Sequence, residues 1–245
     1  MSIIILTALG VGGATVAGAA LGFVFKGLAE KFGDIILAFA AGVMLSASIL
    51  GLVVPSLELG GKFRIIITTA GIFLGAACIH LLEGVAPRVD KLVRGCEKSG
   101  GDKVMLLVLA IAIHNLPEGI AAGVGFGSGN VVGAISVAGG IALQNIPEGM
   151  VIIGPMLSSG IRPSRTFFLA FLTGVIEIIG TFIGYFCVNI SIAVLPFALS
   201  LAAGAMIYII SDEIIPSTHN NSGKGVTYSL LSGFCVMLVI SELLS

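Results

Sequence analysis

The chain has 245 residues, of which 57% are hydrophobic and only 10% are charged, and its mean hydropathy is +1.14. Soluble globular domains carry about 25% charged residues, so this composition excludes a water-soluble fold. The expected environment is therefore the lipid bilayer. Because the formal net charge is only −1, no nucleic-acid partner is expected.

Apolar runs divide the chain into helices of membrane-spanning length. A bilayer core is crossed by roughly 20 apolar residues in a helix, and the runs between Gly, Pro and charged breaks predict about eight such helices. The chain is therefore predicted to be an all-α membrane protein with one transmembrane domain over residues 1–245. The predicted helices span residues 2–25, 34–57, 64–83, 104–126, 130–157, 165–188, 191–215 and 226–244.

The distribution of basic residues predicts the orientation. Lys and Arg accumulate in cytoplasmic loops, and only Lys62 and Arg64 lie in the second, fourth or sixth loop. This predicts that both termini lie outside the cell membrane and that the long loop at about 84–103 is cytoplasmic. The remaining basic residues are Lys26, Lys31, Arg88, Lys91, Arg94, Lys98, Lys103, Arg162, Arg165 and Lys224.

Two pairs of segments resemble each other within the chain. Residues 113–119 read I-H-N-L-P-E-G, and residues 143–149 read L-Q-N-I-P-E-G. A weaker pair, A-A-G-V-M at 40–44 and A-A-G-A-M at 202–206, lies in the second and seventh helices. These repeats predict a 3+2+3 arrangement, in which helices 1–3 and 6–8 are inverted repeats around central helices 4 and 5. Inverted repeats are typical of transporters.

Three predicted helices carry a glutamate at membrane depth: Glu118, Glu148 and Glu177. An ionised side chain at mid-membrane costs roughly 2.5–3.5 kcal/mol on insertion scales. No Lys or Arg lies at membrane depth in the same segments to compensate this cost, whereas a bound dication could. The three carboxylates are therefore predicted to be metal ligands.

The spacing of nearby polar residues supports a metal site. His114 and Glu118 lie four residues apart on one helix face, as do Gln144 and Glu148. An imidazole beside carboxylates suits zinc, ferrous iron, manganese or cadmium, whereas calcium and magnesium prefer oxygen ligands alone.

Prolines in both central helices strengthen this prediction. Pro117 and Pro147 each lack an N–H and clash with the carbonyl four residues earlier, so both helices are predicted to be kinked. Asn115 and Asn145, each two residues before its proline, would bring amide oxygens to the same place.

The hexapeptides H-N-L-P-E-G at 114–119 and Q-N-I-P-E-G at 144–149 resemble the paired signatures of the ZIP (Zrt-, Irt-like protein) family of divalent metal transporters. The resemblance extends over the whole chain, and a short chain with Gln144 is most similar to prokaryotic, GufA-like members. It implies eight helices, external termini and a long loop after the third helix. It also implies transport of Zn²⁺, with Cd²⁺, Fe²⁺ or Mn²⁺ as other substrates, into the cytoplasm.

The resemblance further implies two adjacent metal positions, bridged by the glutamates of the two hexapeptides. Gln144 stands where many relatives carry a second histidine, which makes the site harder and less basic. One position would be formed by His114, Glu118, Gln144 and Glu148, and the other by Asn115, Glu118, Asn145, Glu148 and Glu177.

The sequence is compatible with functions other than a carrier. The chain is not expected to be an enzyme, but a membrane-embedded dinuclear metalloenzyme that activates water and a metal-selective channel are alternatives to a carrier. A homodimer is plausible for a thin helical bundle. Four residues are candidates for an exit route, namely His80, Glu83, Asp212 and Glu213.

Overall fold

All regular structure in the described part of the chain is helical. The computed structural model describes residues 2–94, 114–128, 131–158, 160–190, 192–219 and 223–243. The helices are α1 Ser2–Val24, α2 Lys26–Ser46, α3 Val54–Leu59, α4 Arg64–Arg94, α5 114–124, α6 Val131–Val151, α7 Ile153–Ser158, α8 Pro163–Ile190, α9 Leu195–Ile209, α10 Ile215–His219 and α11 Gly225–Leu243.

Six helical segments among the described residues are long and apolar enough to cross a membrane. The prediction of an all-α membrane protein is therefore confirmed, whereas the eight-helix 3+2+3 arrangement stays a prediction. Helix α6 has 21 residues, but Gln144, Asn145 and Glu148 lower its hydropathy. The six segments are Ser2–Val24, Lys31–Leu59, Gly61–Leu82, Pro163–Val188, Leu195–His219 and Gly225–Leu243.

Helix α4 is longer than the sequence indicates. Its predicted end is residue 83, but the helix continues to Arg94. The charged residues after position 83 predict a break, but Lys and Arg are good helix formers. The first part of the predicted loop 84–103 is thus helical, and the rest lies outside the described residues. The cytoplasmic location of this segment stays a prediction.

The second and seventh spans each contain a π-helical stretch directly before a proline. Residues Ala47–Val53 join α2 to α3, and residues Ile210–Ile214 join α9 to α10. Pro55 and Pro216 each occupy the second position of the helix that follows. A proline cannot donate a hydrogen bond to the carbonyl four residues earlier, and its ring clashes with that carbonyl. A π-turn, with its i→i+5 hydrogen bonds, changes the position of the backbone at this point. Both spans thereby continue past their prolines.

The helices pack through close backbone contacts. Helix α4 packs against α9, α2 against α11, and α1 against both α6 and α8. Gly42 faces the backbone of Leu230 on α11, and Gly204 faces the backbone of Ile72 on α4, with no room for a Cβ at either position. These are the glycines of the weaker predicted repeat. Small residues at helix crossings are typical of membrane bundles.

The described central helices run through their prolines. Helical structure extends across Pro117 in α5 and across Pro147 in α6. The interruption falls at Ile152, between α6 and α7. Kinks at the prolines themselves stay a prediction, since the residue four before Pro117 lies outside the described residues.

Candidate metal site

Helices α5, α6 and α8 bring the predicted ligands together. Gly119 on α5 packs against the Glu177 backbone on α8, and Gly149 on α6 packs against the Thr15 backbone on α1. The glycines that end the two hexapeptides therefore allow direct contact between backbones. The buried predicted ligands are Asn115, Glu118, Gln144, Asn145 and Glu177, whereas His114 and Glu148 are partly exposed.

The Glu177 carboxylate is held by three side chains from three helices. Thr15 Oγ1 lies 2.7 Å from Oε1 and 2.9 Å from Oε2. Asn115 Nδ2 donates to Oε1, and Asn145 Nδ2 donates to Oε2 at 2.8 Å. Asn145 Nδ2 also lies 3.2 Å from the carbonyl oxygen of Val11 on α1. Predicted ligands from α5, α6 and α8 therefore form one buried network.

Other buried polar atoms in the site make no hydrogen bond of normal geometry, although the Gln144 side chain is close enough to Glu118 to interact with it. They include both carboxylate oxygens of Glu118, both side-chain amide atoms of Gln144, Asn145 Oδ1 and Glu148 Oε1. Glu148 and Glu177 are the ionisable neighbours of Glu118. Buried polar groups are normally hydrogen-bonded, so these atoms need another partner. Carboxylate and amide oxygens beside an imidazole match the donor set of a divalent transition metal.

The site depends on amide ligands as well as ionisable ones. Within the described residues, no three His, Cys, Asp or Glu side chains are grouped so that they could hold a metal ion by themselves. The predicted set also contains Asn115, Gln144 and Asn145, whose side-chain oxygens are neutral ligands. The candidate site is therefore made of neutral amide ligands together with charged ones, and not of a compact cluster of charged side chains.

One predicted ligand faces a residue outside the predicted set. His114 Nε2 lies 2.7 Å from Glu213 Oε2, and Glu213 belongs to the π-helical stretch of the seventh span. Glu148 has both His114 and Glu213 as ionisable neighbours. Glu213, which the sequence offers only as an exit-route candidate, thus lies beside the metal site.

A cavity of about 330 Å³, here called the site cavity, borders these residues. His114, Asn115, Glu118 and Glu148 line it, together with Thr15 and Glu213. Its other lining residues are Leu37 in α2, Gly149, Val151 and Ile152 at the end of α6, and Ile209, Ile214 and Ser217 in the second half of the seventh span. The basic-residue rule predicts that these ends of α6 and of the seventh span face the cytoplasm. The site cavity therefore leads from the candidate ligands towards the predicted cytoplasmic side.

A second cavity of about 460 Å³ lies among the opposite ends of the spans. Glu58, Ser136 and Glu242 line it, and none of the candidate ligands does. A core of buried apolar side chains borders both cavities, contributing Leu199 to the second cavity and Ile209 to the site cavity. Only one of these two cavities reaches the candidate ligands.

The other exit-route candidates are not part of the site cavity. His80 is exposed, and its Nδ1 lies 3.0 Å from the Tyr208 hydroxyl on α9. Asp212 is exposed and does not line the site cavity. The side chain of Glu83 lies outside the described residues. Of the three candidates whose side chains the structure describes, Glu213 is the one that contacts a predicted ligand.

Thr15 on α1 is the site residue that the motifs do not indicate. It is buried, lines the site cavity and contacts Glu177. The sequence signal that could have indicated Thr15 is its helical spacing from three glycines of α1. Gly12, Gly18 and Gly22 all pack on the backbones of α8 or α6, and Thr15 lies on the same helix face. A hydroxyl on this small-residue face of α1 must point at the neighbouring helices, one of which carries Glu177.

Comparisons with known proteins agree with this arrangement. A family model described as "ZIP Zinc transporter" matches residues 91–241, which include every candidate ligand. Zinc transporter GufA of Myxococcus xanthus is 35% identical over 199 residues, covering 77% of this chain and 78% of the relative. Zinc transporter ZupT of Chlorobaculum parvum is 34% identical over 252 residues, covering 94% and 93%.

A third relative, zinc transporter ZIPB of Bordetella bronchiseptica, is 31% identical over 244 residues, covering 94% of this chain and 78% of the relative. These similarities extend over most of each protein, and they accompany a helical bundle with six candidate membrane spans. The chain is therefore a multi-pass membrane protein and belongs to the ZIP zinc transporter family.

Proposed function

We propose that the protein is a carrier that moves Zn²⁺ across the cell membrane into the cytoplasm. The ion binds within the membrane to His114, Asn115, Glu118, Gln144, Asn145, Glu148 and Glu177. The same ligand types also suit Cd²⁺, Fe²⁺ and Mn²⁺, which are therefore further proposed substrates. Selectivity among these ions depends on geometry and second-shell contacts. The relatives named above, which are called zinc transporters, support zinc as the first substrate to test.

The observation that carries the proposal is the set of buried polar atoms that lack a hydrogen bond of normal geometry. Both oxygens of Glu118 and both amide atoms of Gln144 are of this kind. Leaving a buried polar atom unpaired costs about 1–3 kcal/mol, and more for a charged group. A dication coordinated by these oxygens would offset this cost. Glu118 and Glu148 are close enough to interact, which supports two metal positions bridged by them.

The two cavities support a carrier over a channel. The site cavity borders the ligands, whereas the second cavity has no candidate ligand in its lining. A continuous pore would connect both sides of the membrane to the ion at once, but a carrier exposes its site to one side at a time. The site cavity opens towards the predicted cytoplasmic side, as expected for a conformation that releases the ion there.

The orientation and the assembly are parts of the same proposal. Both termini lie outside, and the segment at 84–103 lies in the cytoplasm, as the distribution of Lys and Arg indicates. We also propose a homodimer, in keeping with the thin bundle. An enzyme is the weaker alternative, since the described site offers ligands but no separate nucleophile.

Uptake of zinc into proteoliposomes tests the proposal. The wild-type protein should show saturable uptake, and Glu148→Gln should abolish most of it, because the substitution removes a bridging carboxylate with little change in volume. Asp34→Asn is the matched control, since it neutralises a carboxylate outside the site cavity and should leave uptake intact. Cadmium, ferrous iron and manganese in parallel would rank the substrates.

The same experiment separates the alternatives. Equal uptake by the wild type and Glu148→Gln, or no uptake by either, would contradict the proposed carrier. Uptake that does not saturate with zinc concentration and depends weakly on temperature would indicate a channel. Orientation is read from cysteine labelling, in which Lys62→Cys should react from outside and Ser164→Cys only after the membrane is opened.

A further inference from the structure

Thr15 is the only residue of α1 whose side chain is hydrogen-bonded to a candidate ligand in the described part of the chain. Its hydroxyl lies 2.7 and 2.9 Å from the two carboxylate oxygens of Glu177. Thr15 is nearly fully buried, with 2% of its surface exposed. A hydroxyl placed between both oxygens restricts rotation of the carboxylate about its terminal bond.

The orientation of the two asparagines depends on that carboxylate. Asn115 Nδ2 and Asn145 Nδ2 donate to different oxygens of Glu177. An amide nitrogen and its oxygen point in different directions from the same carbon, so a nitrogen that faces Glu177 turns the oxygen away from it. Asn145 Oδ1 is buried and has no hydrogen-bond partner. It is thus free to bind an ion, which an amide nitrogen cannot do.

We propose that Thr15 is a positioning residue for metal binding: its hydroxyl holds Glu177 so that Asn115 and Asn145 present their side-chain oxygens to the ion. The inference rests on the proposed function, because it concerns the same ions. It assigns α1 a part in the site, although no motif in α1 indicates one. Thr15 acts through Glu177 and the amides, without itself being a ligand.

The hydrogen bond also connects the site to the packing of α1. Gly149 on α6 packs against the Thr15 backbone, and Gly12 on α1 packs against Gly174 on α8. A movement of α1 relative to α8 would therefore shift the hydroxyl away from Glu177 and release the amides. Metal affinity would then depend on the position of α1.

The test is equilibrium dialysis of purified protein in detergent against zinc, together with proteoliposome uptake. Thr15→Val, which has nearly the same shape but no hydroxyl, should weaken zinc binding by about three- to tenfold, the range expected for one interhelical hydrogen bond. Thr15→Ser keeps the hydroxyl and should bind zinc like the wild type. Thr166→Val removes a buried hydroxyl that has no partner and should leave binding unchanged.

A double-mutant cycle separates positioning from direct ligation. In an Asn145→Leu background, Thr15→Val should have a smaller effect than in the wild type, because one of the two amide oxygens that Thr15 orients is already absent. An equal loss in both backgrounds would overturn the inference and indicate a direct ligand. Unchanged affinity in Thr15→Val, or failure of Thr15→Ser to restore binding, would also overturn it.

The two readouts distinguish this inference from the proposed function. If the wild type binds zinc in the predicted Thr15-dependent way but transports none, the proposed carrier fails and the inference stands. If the wild type transports zinc and Thr15→Val binds and transports it equally well, the inference fails and the carrier stands. If the wild type binds no zinc, both are overturned.

Discussion

His114 Nε2 and Glu213 Oε2 lie 2.7 Å apart, joining the first residue of one hexapeptide to the π-helical stretch of the seventh span. Nε2 is a nitrogen through which a histidine binds a metal ion. A carboxylate at this distance therefore competes with an ion for the imidazole. Occupation of the site and the position of the seventh span are thus connected.

Glu213→Gln should strengthen zinc binding. The pair is partly exposed, with side-chain exposures of 13% for His114 and 43% for Glu213, so its contribution is small, about 0.2–1 kcal/mol. Removing the charge should lower the zinc dissociation constant by up to about fivefold. Equilibrium dialysis measures this, with Asp212→Asn as a control that neutralises the neighbouring carboxylate. Weaker binding by Glu213→Gln would show instead that Glu213 is a ligand.

Glu118→Gln should make the metal-free protein more stable and abolish its response to zinc. The Glu118 carboxylate is buried beside Glu148 and Glu177, and burying a charged group costs more than burying a neutral amide. Removal of this charge should raise Tm, by about 2–4 °C for each kcal/mol gained in a chain of this size. Circular dichroism should be used, because the chain contains no Trp.

The zinc response in that experiment follows from ligand linkage. Zinc at 100 times its dissociation constant should stabilise the wild type by about 2.7 kcal/mol, whereas Glu118→Gln should gain little. Glu58→Gln, at an exposed carboxylate, should behave as the wild type with respect to Tm. A decrease in Tm on Glu118→Gln would contradict the view that this carboxylate is uncompensated without an ion.

Gln144→His should shift the metal preference towards zinc over manganese. Gln144 is buried beside Glu118, and its amide atoms make no hydrogen bond of normal geometry. An imidazole at this position would add a second nitrogen ligand. Nitrogen ligands suit zinc, whereas manganese prefers oxygen ligands. The ratio of zinc to manganese affinity should increase by about tenfold, which corresponds to about 1.4 kcal/mol. Competition dialysis measures the ratio, and an unchanged ratio would place Gln144 outside the coordination shell.

Gly204→Ala should destabilise the fold. A Cβ at this position would lie 2.6 Å from Ile72 Cα, so α4 and α9 would have to separate. Overpacking of this kind costs about 1–3 kcal/mol, and Tm measured by circular dichroism should fall accordingly. Gly13→Ala is the matched control, because a Cβ there meets nothing within 4 Å. Equal Tm values for the two variants would mean that the crossing can relax.

The helical fold and most residues of the candidate site could be predicted from the sequence because both leave local signals. Apolar runs indicate spans wherever they occur, and the two hexapeptides place His114 with Glu118 and Gln144 with Glu148 by helical spacing alone. The end of α4 could not be located in this way, since charged residues occur both inside helices and after them. The π-helical stretches before Pro55 and Pro216 leave no periodic signal either.

By itself, the sequence determined that the chain is a helical membrane protein with acidic, amide and imidazole side chains at membrane depth, because these properties follow from composition and short-range spacing. Only the tertiary structure decided which distant helices supply the partners of those side chains. Thr15 and Glu177 are 162 positions apart, and His114 pairs with Glu213 on another span. Such contacts depend on how whole helices cross, which close packing at glycines such as Gly119 and Gly149 decides.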